Sequence, residues 1–267
     1  MFRNALKKTP HDVVVLSAVR SPITRAFKGG FKDAYPEELL MPVMQAAVNK
    51  ASIRTEDVND VLIGNVLAEL GFAKTGRTAL NAAGFPNSTT FHTVNRQCSS
   101  SLQAITHIAH AIRVGQIEVG LGGGAESMTR NYNPSRGIPQ DVSPLIKEGG
   151  VKDALDCLVP MLQTSENVAA RYGVSRADQD AFAAESQRRA AEAQSNGRFR
   201  EVVPVSARRV DPETQNETFE VVDRDDGVRP GVSVEKMAKL QPVLEGGSST
   251  AGNSYVSPSM YSPGLYS

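Results

Sequence analysis

The residue best suited to chemistry is Cys98, which stands where a strand-forming run meets a helical pattern. Residues 91–95 favour a strand, and the serines at 99–101 favour the start of a helix. A thiol at a helix N-terminus lies near unpaired N–H groups and the positive end of the dipole, which favour the thiolate. The thiolate is the nucleophilic form, and the same N–H groups can hold a developing oxyanion. The alternative interpretation is a small cysteine buried in the core.

A cysteine nucleophile normally works with a base, and the four histidines are poorly placed to supply one. His107 follows Cys98 on the predicted helix, roughly 13 Å away at 1.5 Å per residue, and His110 is farther. His92 precedes Cys98 on an extended strand, roughly 20 Å away at full extension. His11 falls in the N-terminal segment. The sequence therefore predicts a nucleophile whose base is not encoded nearby.

Three other features of the sequence are weaker candidates for a site. The glycines at 120–124 lack the Lys-Ser/Thr of a phosphate loop and fit close backbone packing instead. Cys157 has no second Cys or His at metal-ligand spacing, so no metal site is predicted. Arg229, before Pro230, could hold a phosphate; the alternative is an ordinary surface arginine.

Length and composition limit the class of protein. The chain has 267 residues, for which about two domains is the expectation. A formal net charge of zero gives no reason to expect nucleic acid or an anionic membrane as a partner. Two cysteines do not make a disulfide framework, so a reducing compartment fits. No apolar run approaches the roughly 18 residues that span a bilayer. We expect a soluble intracellular protein.

The elements around Cys98 alternate between strands and helices, which predicts an α/β layer on a mostly parallel sheet. The predicted strands are residues 13–16, buried on both faces, then 61–67, 91–95 and the run ending at Gly124. The predicted helices are 37–51, 76–83 and one that follows Cys98. The last of these is expected to turn an apolar stripe to the core, formed by Leu102, Ile105, Ile108, Ala109 and Ile112.

The second half of the chain has a different character. Residues 128–153 carry too many Pro and Gly for long elements. Thr164 or Ser165 is predicted to cap a helix ending at Tyr172, and a capping box from Ser175 to Asp178 to open a long helix to residue 195. Residues 201–206 and 218–222 are predicted strands, and 255–267 a disordered tail.

Seven motifs together make the sequence similar to the thiolase family, most of all to its peroxisomal 3-ketoacyl-CoA type. The motifs are VVLSAVRSP at 14–22, GNV at 64–66, VNRQCSS at 94–100, GGAESM at 123–128, TSENVA at 164–169, MAKL at 237–240 and TAGN at 250–253. They occur in family order between residues 12 and 254. The coverage makes the resemblance far more specific than one motif would be.

The resemblance implies an acetyl-CoA C-acyltransferase of fatty-acid β-oxidation. Cys98 would take the acyl group of a 3-ketoacyl-CoA while acetyl-CoA leaves, and a second CoA would accept the shortened chain. Cys98 would also lend its N–H to an oxyanion hole, Met161 would contact pantetheine and Arg229 would contact CoA. Coenzyme A is then a co-substrate, with no further cofactor and no metal. The family also implies a homodimer or tetramer, paired near the strand before Cys98.

The implied fold is the N-terminal half of a thiolase-like α/β fold, a mixed, mostly parallel sheet with helices, plus an inserted α+β loop domain. The expected segments are a basic tail at 1–11, the α/β domain at 12–129, the CoA-binding loop domain at 130–240, the start of a return strand at 241–254 and a divergent tail at 255–267. The implied compartment is the peroxisome, although the usual N-terminal targeting pattern is not found; cytoplasm and mitochondrion are the alternatives.

The sequence also departs from the family. The Asn-Glu-Ala-Phe motif, the Gly-His-Pro histidine that activates the nucleophile and a second acid/base cysteine do not occur in these 267 residues. Ser101 replaces a Gly, and Tyr255 replaces a Ser that contacts CoA. The expected product is therefore C-terminally truncated. The alternative function is an inactive thiolase fragment that binds CoA or pairs with a full-length subunit. A ketoacyl-synthase-type condensing enzyme is a third interpretation, disfavoured by the TAGN motif.

Overall fold

A computed structural model describes residues 12–132 and 141–254, and the predicted tails at 1–11 and 255–267 lie outside the described residues. Contacts divide the described chain into two units. The first contains residues 12–22, 30–131 and 201–224; the second contains 23–29, 132, 141–200 and 225–254. Within the described ranges, no helix has the length and apolar character that crossing a bilayer requires.

A parallel sheet of three strands forms the centre of the first unit. Its strands are β1 (Asp60–Gly64), β2 (Thr90–Val94) and β3 (Gly120–Gly124), in the spatial order β2-β1-β3. Asp60 of β1 is in register with Thr90 on one side and Gly120 on the other. Its apolar residues are at most 1% exposed, because strands flank β1 on both edges and helices cover both of its faces. The predicted α/β layer with a parallel sheet is confirmed.

Helices cover both faces of this sheet. Successive side chains of a strand point to opposite faces, so neighbouring residues of β1 pack against different helices. They are α1 (Pro36–Ala51), α2 (Ala73–Ala82) and α3 (Ser100–Arg113), followed by the short α4 (Met128–Asn131). Val61 and Ile63 belong to the core cluster formed with α1 and α2. Leu62, between them, packs instead with Ala104 and Ile108 of α3. The helix α3 that follows Cys98 is therefore held against the sheet by β1.

The prediction of a buried strand at 13–16 is wrong. No strand forms there, and Val14, Val15 and Leu16 are 58–78% exposed. An apolar run becomes a buried strand only where neighbouring strands and covering elements meet it. Here the segment makes a bridge only after the apolar run has ended, between Arg20 and Val202.

The predicted apolar stripe of α3 is wrong in its first half. Leu102 and Ile105 are 67% and 46% exposed, whereas Ser100, Ala104 and Ile108 are buried. The reason is the glycine-rich β3, which lets the helix backbone approach the sheet. A Cβ on Gly122 would lie 2.8 Å from the Cα of Ile105. The helix thus meets the sheet through small groups and backbone.

An antiparallel hairpin also packs in the first unit. It consists of β4 (Val205–Val210) and β5 (Glu217–Val222), so its first strand begins later than predicted. Val205 and Ala207 form a small core cluster with Phe31 and Ala34. The predicted loop domain at 130–240 includes this hairpin; its boundaries stay a prediction.

The second unit is largely helical. Its helices are α5 (Pro144–Glu148), α6 (Lys152–Asp156), α7 (Met161–Tyr172), α8 (Arg176–Ser195) and α9 (Val234–Ala238). The predicted capping box is confirmed, because the Ser175 side chain accepts from the Asp178 N–H at the start of α8. The predicted cap of α7 is wrong: the helix begins at Met161, and the Thr164 N–H already donates to the Pro160 carbonyl.

Candidate functional site

Cys98 is exposed and lies between β2 and α3, in a turn that its neighbours hold in place. Gln97 has φ of 52°, in the left-handed region that non-glycine residues seldom adopt. Its N–H donates to Asn95 Oδ1 at 3.0 Å. Its carbonyl accepts from both the Oγ of Ser100, at 2.5 Å, and the Ser100 N–H, at 3.0 Å. The turn is therefore fixed on both sides of Gln97, and the interpretation of Cys98 as a buried core cysteine is wrong.

Glycines at the ends of β1 and β3 let the start of α3 lie directly on the sheet. A Cβ on Gly64 would overlap the Ser100 carbonyl carbon and lie 2.5 Å from the Ser101 nitrogen. A Cβ on Gly124 would overlap the Ser101 Oγ. The helix N-terminus that carries the thiol is thus placed by the absence of side chains beneath it.

Hydrogen bonds connect the ends of the three parallel strands. Buried Asn65 donates to the Ala125 carbonyl at 2.7 Å, which connects the end of β1 to the end of β3. One carboxylate oxygen of Glu126 accepts from the N–H groups of Val66 and Leu67, at 3.1 and 3.0 Å. Asn95 Nδ2 donates to the Val66 carbonyl at 3.2 Å, which connects β2. We call these contacts the strand-end network.

The described histidines do not join this turn. His107 and His110 are exposed on α3, and the Nδ1 of His92 lies 3.5 Å from the Asp60 carboxylate. His11 lies outside the described residues. Among residues 12–132, the side chains hydrogen-bonded to the backbone of the turn belong to Asn95, Ser99 and Ser100, which carry no base. The same ranges, together with 141–254, hold no cluster of three metal-ligating side chains.

The two predicted CoA contacts lie in the second unit. Met161 is the first residue of α7 and is exposed. Arg229 is exposed in the loop before α9, where its backbone N–H donates to Gln187 Oε1 at 2.9 Å. Exposure leaves both side chains accessible to a ligand. Their contacts with pantetheine and CoA stay a prediction.

A buried ion pair links the motifs of the second unit, and sequence reasoning missed it. Asp180 is 1% exposed and accepts from Arg176 Nε at 2.7 Å and from Asn253 Nδ2 at 2.9 Å. Arg176 also donates to the carbonyls of Met237 and Leu240, each at 2.9 Å. The four-residue spacing of Arg176 and Asp180 on a helix was the available signal. The MAKL and TAGN motifs are therefore held to α8 by one charged pair.

Glu166 holds the loop before the TAGN motif against α7. Its carboxylate accepts from the N–H groups of Ser248 and Ser249, at 3.0 and 2.7 Å, and from the Ser248 hydroxyl at 2.9 Å. Burial by itself raises the pKa of Glu166, but these hydrogen bonds outweigh it and hold the pKa below its ordinary value. The carboxylate stays ionised and fixes the loop to α7.

The parallel three-stranded sheet and the exposed Cys98 before α3 define an α/β protein with an accessible thiol at a helix start. The family described as thiolase, N-terminal domain, matches residues 13–257. The chain belongs to the thiolase family.

Individual relatives agree with this assignment. The chain is 46% identical over 245 residues to 3-ketoacyl-CoA thiolase B, peroxisomal, of Rattus norvegicus. The matched region covers 91% of this chain and 56% of the rat protein. It is 44% identical over 246 residues to the peroxisomal 3-ketoacyl-CoA thiolase 2 of Arabidopsis thaliana, covering 91% and 52%. The chain thus spans about half the length of the curated relatives it matches.

Solved structures show the same fold. The dimeric peroxisomal thiolase of Saccharomyces cerevisiae superposes with a TM-score of 0.80 at 37% identity, over 94% of this chain and 63% of that one. The acetyl-CoA acetyltransferase of Bacillus anthracis gives a TM-score of 0.76 at 34% identity, over 91% and 62%.

Proposed function

We propose that the chain supplies the nucleophile of a peroxisomal 3-ketoacyl-CoA thiolase reaction, with Cys98 as the acyl acceptor. The single observation that carries the proposal is the exposed Cys98 on a held turn at the start of α3. The similarity to relatives named as peroxisomal 3-ketoacyl-CoA thiolases supports the substrate class and the compartment.

The proposed reaction has two steps. The Cys98 thiolate attacks the 3-keto carbon, and the C2–C3 bond breaks with its electron pair on C2. That carbanion takes a proton and leaves as acetyl-CoA. The thiolate of a second CoA then attacks the acyl–Cys98 thioester and expels the Cys98 thiolate. Donors at the start of α3 would stabilise the oxyanion of each tetrahedral intermediate.

Coenzyme A is the proposed co-substrate, with Met161 and Arg229 as its contacts. An exposed guanidinium suits a phosphate group, because its fork of N–H donors matches phosphate oxygens. An exposed thioether suits the apolar part of pantetheine. Arg229→Ala should therefore raise the KM for CoA more than it lowers kcat.

A second copy of the chain, or a full-length thiolase subunit, is the proposed protein partner. Within the described residues β2 is an edge of the three-stranded sheet. The Thr90 N–H and the Val94 carbonyl both form hydrogen bonds with the β1 side. Because the backbone groups of successive residues point to opposite edges of a strand, the N–H of Thr93 points away from β1. The similarity to a dimeric yeast protein supports pairing with a second subunit, and the outward edge of β2 is the surface that we propose for it.

The partner proposal is tested by sedimentation of Thr93→Pro beside Thr93→Val. Proline removes the outward N–H and should weaken self-association, whereas valine keeps the backbone donor. Equal association of both variants, with unchanged circular dichroism, would refute pairing through β2.

An inactive fragment is the competing function. It rests on the three described histidines, none of which joins the Cys98 turn. A cysteine without an activating base is only a few per cent thiolate at pH 7. Such a chain would bind CoA or a full-length subunit without turnover.

Thiolysis of acetoacetyl-CoA and of a longer 3-ketoacyl-CoA by the purified chain distinguishes the two functions. Turnover that Cys98→Ser abolishes and Cys157→Ser preserves is the expected result, because Cys157 has no place in the proposed site. Turnover equal in wild type and Cys98→Ser would refute the nucleophile. CoA binding without turnover would support the inactive fragment.

A further inference from the structure

The strand-end network has no role in the chemistry described so far, although it includes two of the thiolase-like motifs, GNV and GGAESM. We propose that Glu126 and Asn95 are positioning residues that hold Cys98 at the start of α3. This inference rests on the proposed function in so far as Cys98 is the nucleophile, and it names the residues that act on that nucleophile from a distance.

Glu126 fixes the turn that follows β1. Its Oε2 accepts two consecutive backbone N–H groups, from Val66 and Leu67. Its Oε1 accepts from the Ser127 N–H at 3.1 Å and from Asn131 Nδ2 at 3.3 Å. A carboxylate that accepts bonds on both oxygens is restricted to one orientation. The backbone of Val66 is therefore held at a fixed distance from the end of β3.

Asn95 transfers this position to the turn before Cys98. Its Nδ2 donates to the Val66 carbonyl and its Oδ1 accepts the Gln97 N–H, so one amide bridges the two turns. The left-handed conformation of Gln97 is unfavourable and persists only where the surroundings impose it. Both hydrogen bonds of the Asn95 amide are therefore needed to hold that conformation. Cys98 is the next residue, so its direction follows from this imposed turn.

The consequence for the thiol is chemical. A thiolate beside the first N–H groups of a helix is stabilised by them, and the benefit falls off within one turn. If the Gln97 turn relaxes, Cys98 leaves that position and reacts as an ordinary cysteine. A helix terminus stabilises negative charge beside it by an amount that corresponds to roughly two- to fivefold in a rate constant. The rate of Cys98 alkylation should fall by about that factor.

The test measures alkylation by iodoacetamide at pH 7 in the full chain carrying Cys157→Ser, so that Cys98 is the only thiol. Asn95→Ala and Glu126→Ala should each slow alkylation roughly two- to fivefold. Because they act through one path, the double variant should be no slower than Asn95→Ala alone. Asn131→Ala is the matched control and should leave the rate unchanged, since the Ser127 N–H still holds the same carboxylate oxygen and the bonds to Val66 and Leu67 remain.

Rescue separates positioning from a general loss of structure. Gly adopts positive φ at no steric cost, so Gln97→Gly should restore part of the rate that Asn95→Ala loses. A purely structural role would lower the unfolding temperature of Asn95→Ala and leave its alkylation rate at the wild-type value. That result, or additive effects of Asn95→Ala and Glu126→Ala, would overturn the inference.

Failure of this inference can be distinguished from failure of the proposed function. Slower alkylation with rescue, in a chain that shows no thiolysis, would support the positioning of Cys98 and count only against the enzyme. Thiolysis that depends on Cys98, with alkylation unchanged in Asn95→Ala, would keep the enzyme and refute the positioning.

Discussion

The contact between Gly64 and the start of α3 gives a stability prediction that can be worked from distances. Gly64→Ala would place a Cβ over the Ser100 carbonyl carbon and 2.5 Å from the Ser101 nitrogen. Ordinary contacts lie at about 3.5–4.0 Å, so α3 would have to move by about 1 Å. Backbone atoms cannot turn aside as a flexible side chain does. Overpacking of this kind costs about 1–3 kcal/mol of unfolding free energy.

Gly123→Ala provides a matched control near the same end of the sheet. Its Cβ would meet only the Cδ1 of Ile63, at 3.9 Å, which is ordinary contact. Both substitutions restrict the unfolded chain similarly, which by itself stabilises the fold by about 0.4–1 kcal/mol. The difference between the two variants therefore isolates the overlap with α3.

Urea denaturation followed by circular dichroism measures this difference. We expect Gly64→Ala to be less stable than Gly123→Ala by about 1–3 kcal/mol, and its Cys98 to react with iodoacetamide at an altered rate because the helix start has moved. Equal stability of the two variants would refute the close approach of α3 to β1.

Two further predictions concern the second unit. The folded pKa of Glu166 is lowered, so its contribution to stability is complete above the unfolded pKa and lost as pH falls through the folded pKa. Urea titrations at pH 7 and pH 4 should show a smaller loss for Glu166→Gln than for wild type, and equal losses would contradict the bonds to residues 248–249. Asp180→Ala removes the buried acceptor of Arg176 and Asn253, but Arg176 is 26% exposed and keeps two carbonyl acceptors, so the cost should be about 1–3 kcal/mol. Exposed Glu185→Gln, on the same helix, is the control; an equal effect in thermal unfolding would refute the buried pair.

Local signals in the sequence predicted several elements well. The capping box at Ser175 and Asp178 predicted the start of α8, since both partners lie within one turn. The period change after Cys98 predicted a helix start close to Ser100. The family resemblance predicts Cys98 as the nucleophile, and that role stays a prediction.

Local sequence signals could not predict contacts between residues that are distant in the chain. The strand-end network joins Asn65 and Glu126 to partners about sixty positions away in the chain, and no spacing rule connects them. The exposure of Leu102 depends on glycines of other strands that draw the α3 backbone onto the sheet.

The sequence by itself determined the thiolase family, the strand–Cys98–helix junction and the helices with local caps, because each depends on residues that are neighbours in the chain. Only the tertiary structure decided that Val14, Val15 and Leu16 lie exposed, and that Asn95 and Glu126 both bind the Val66 turn. A buried strand needs flanking strands, and a polar network needs donors and acceptors from separate strand ends. Both depend on which distant segments the fold brings together.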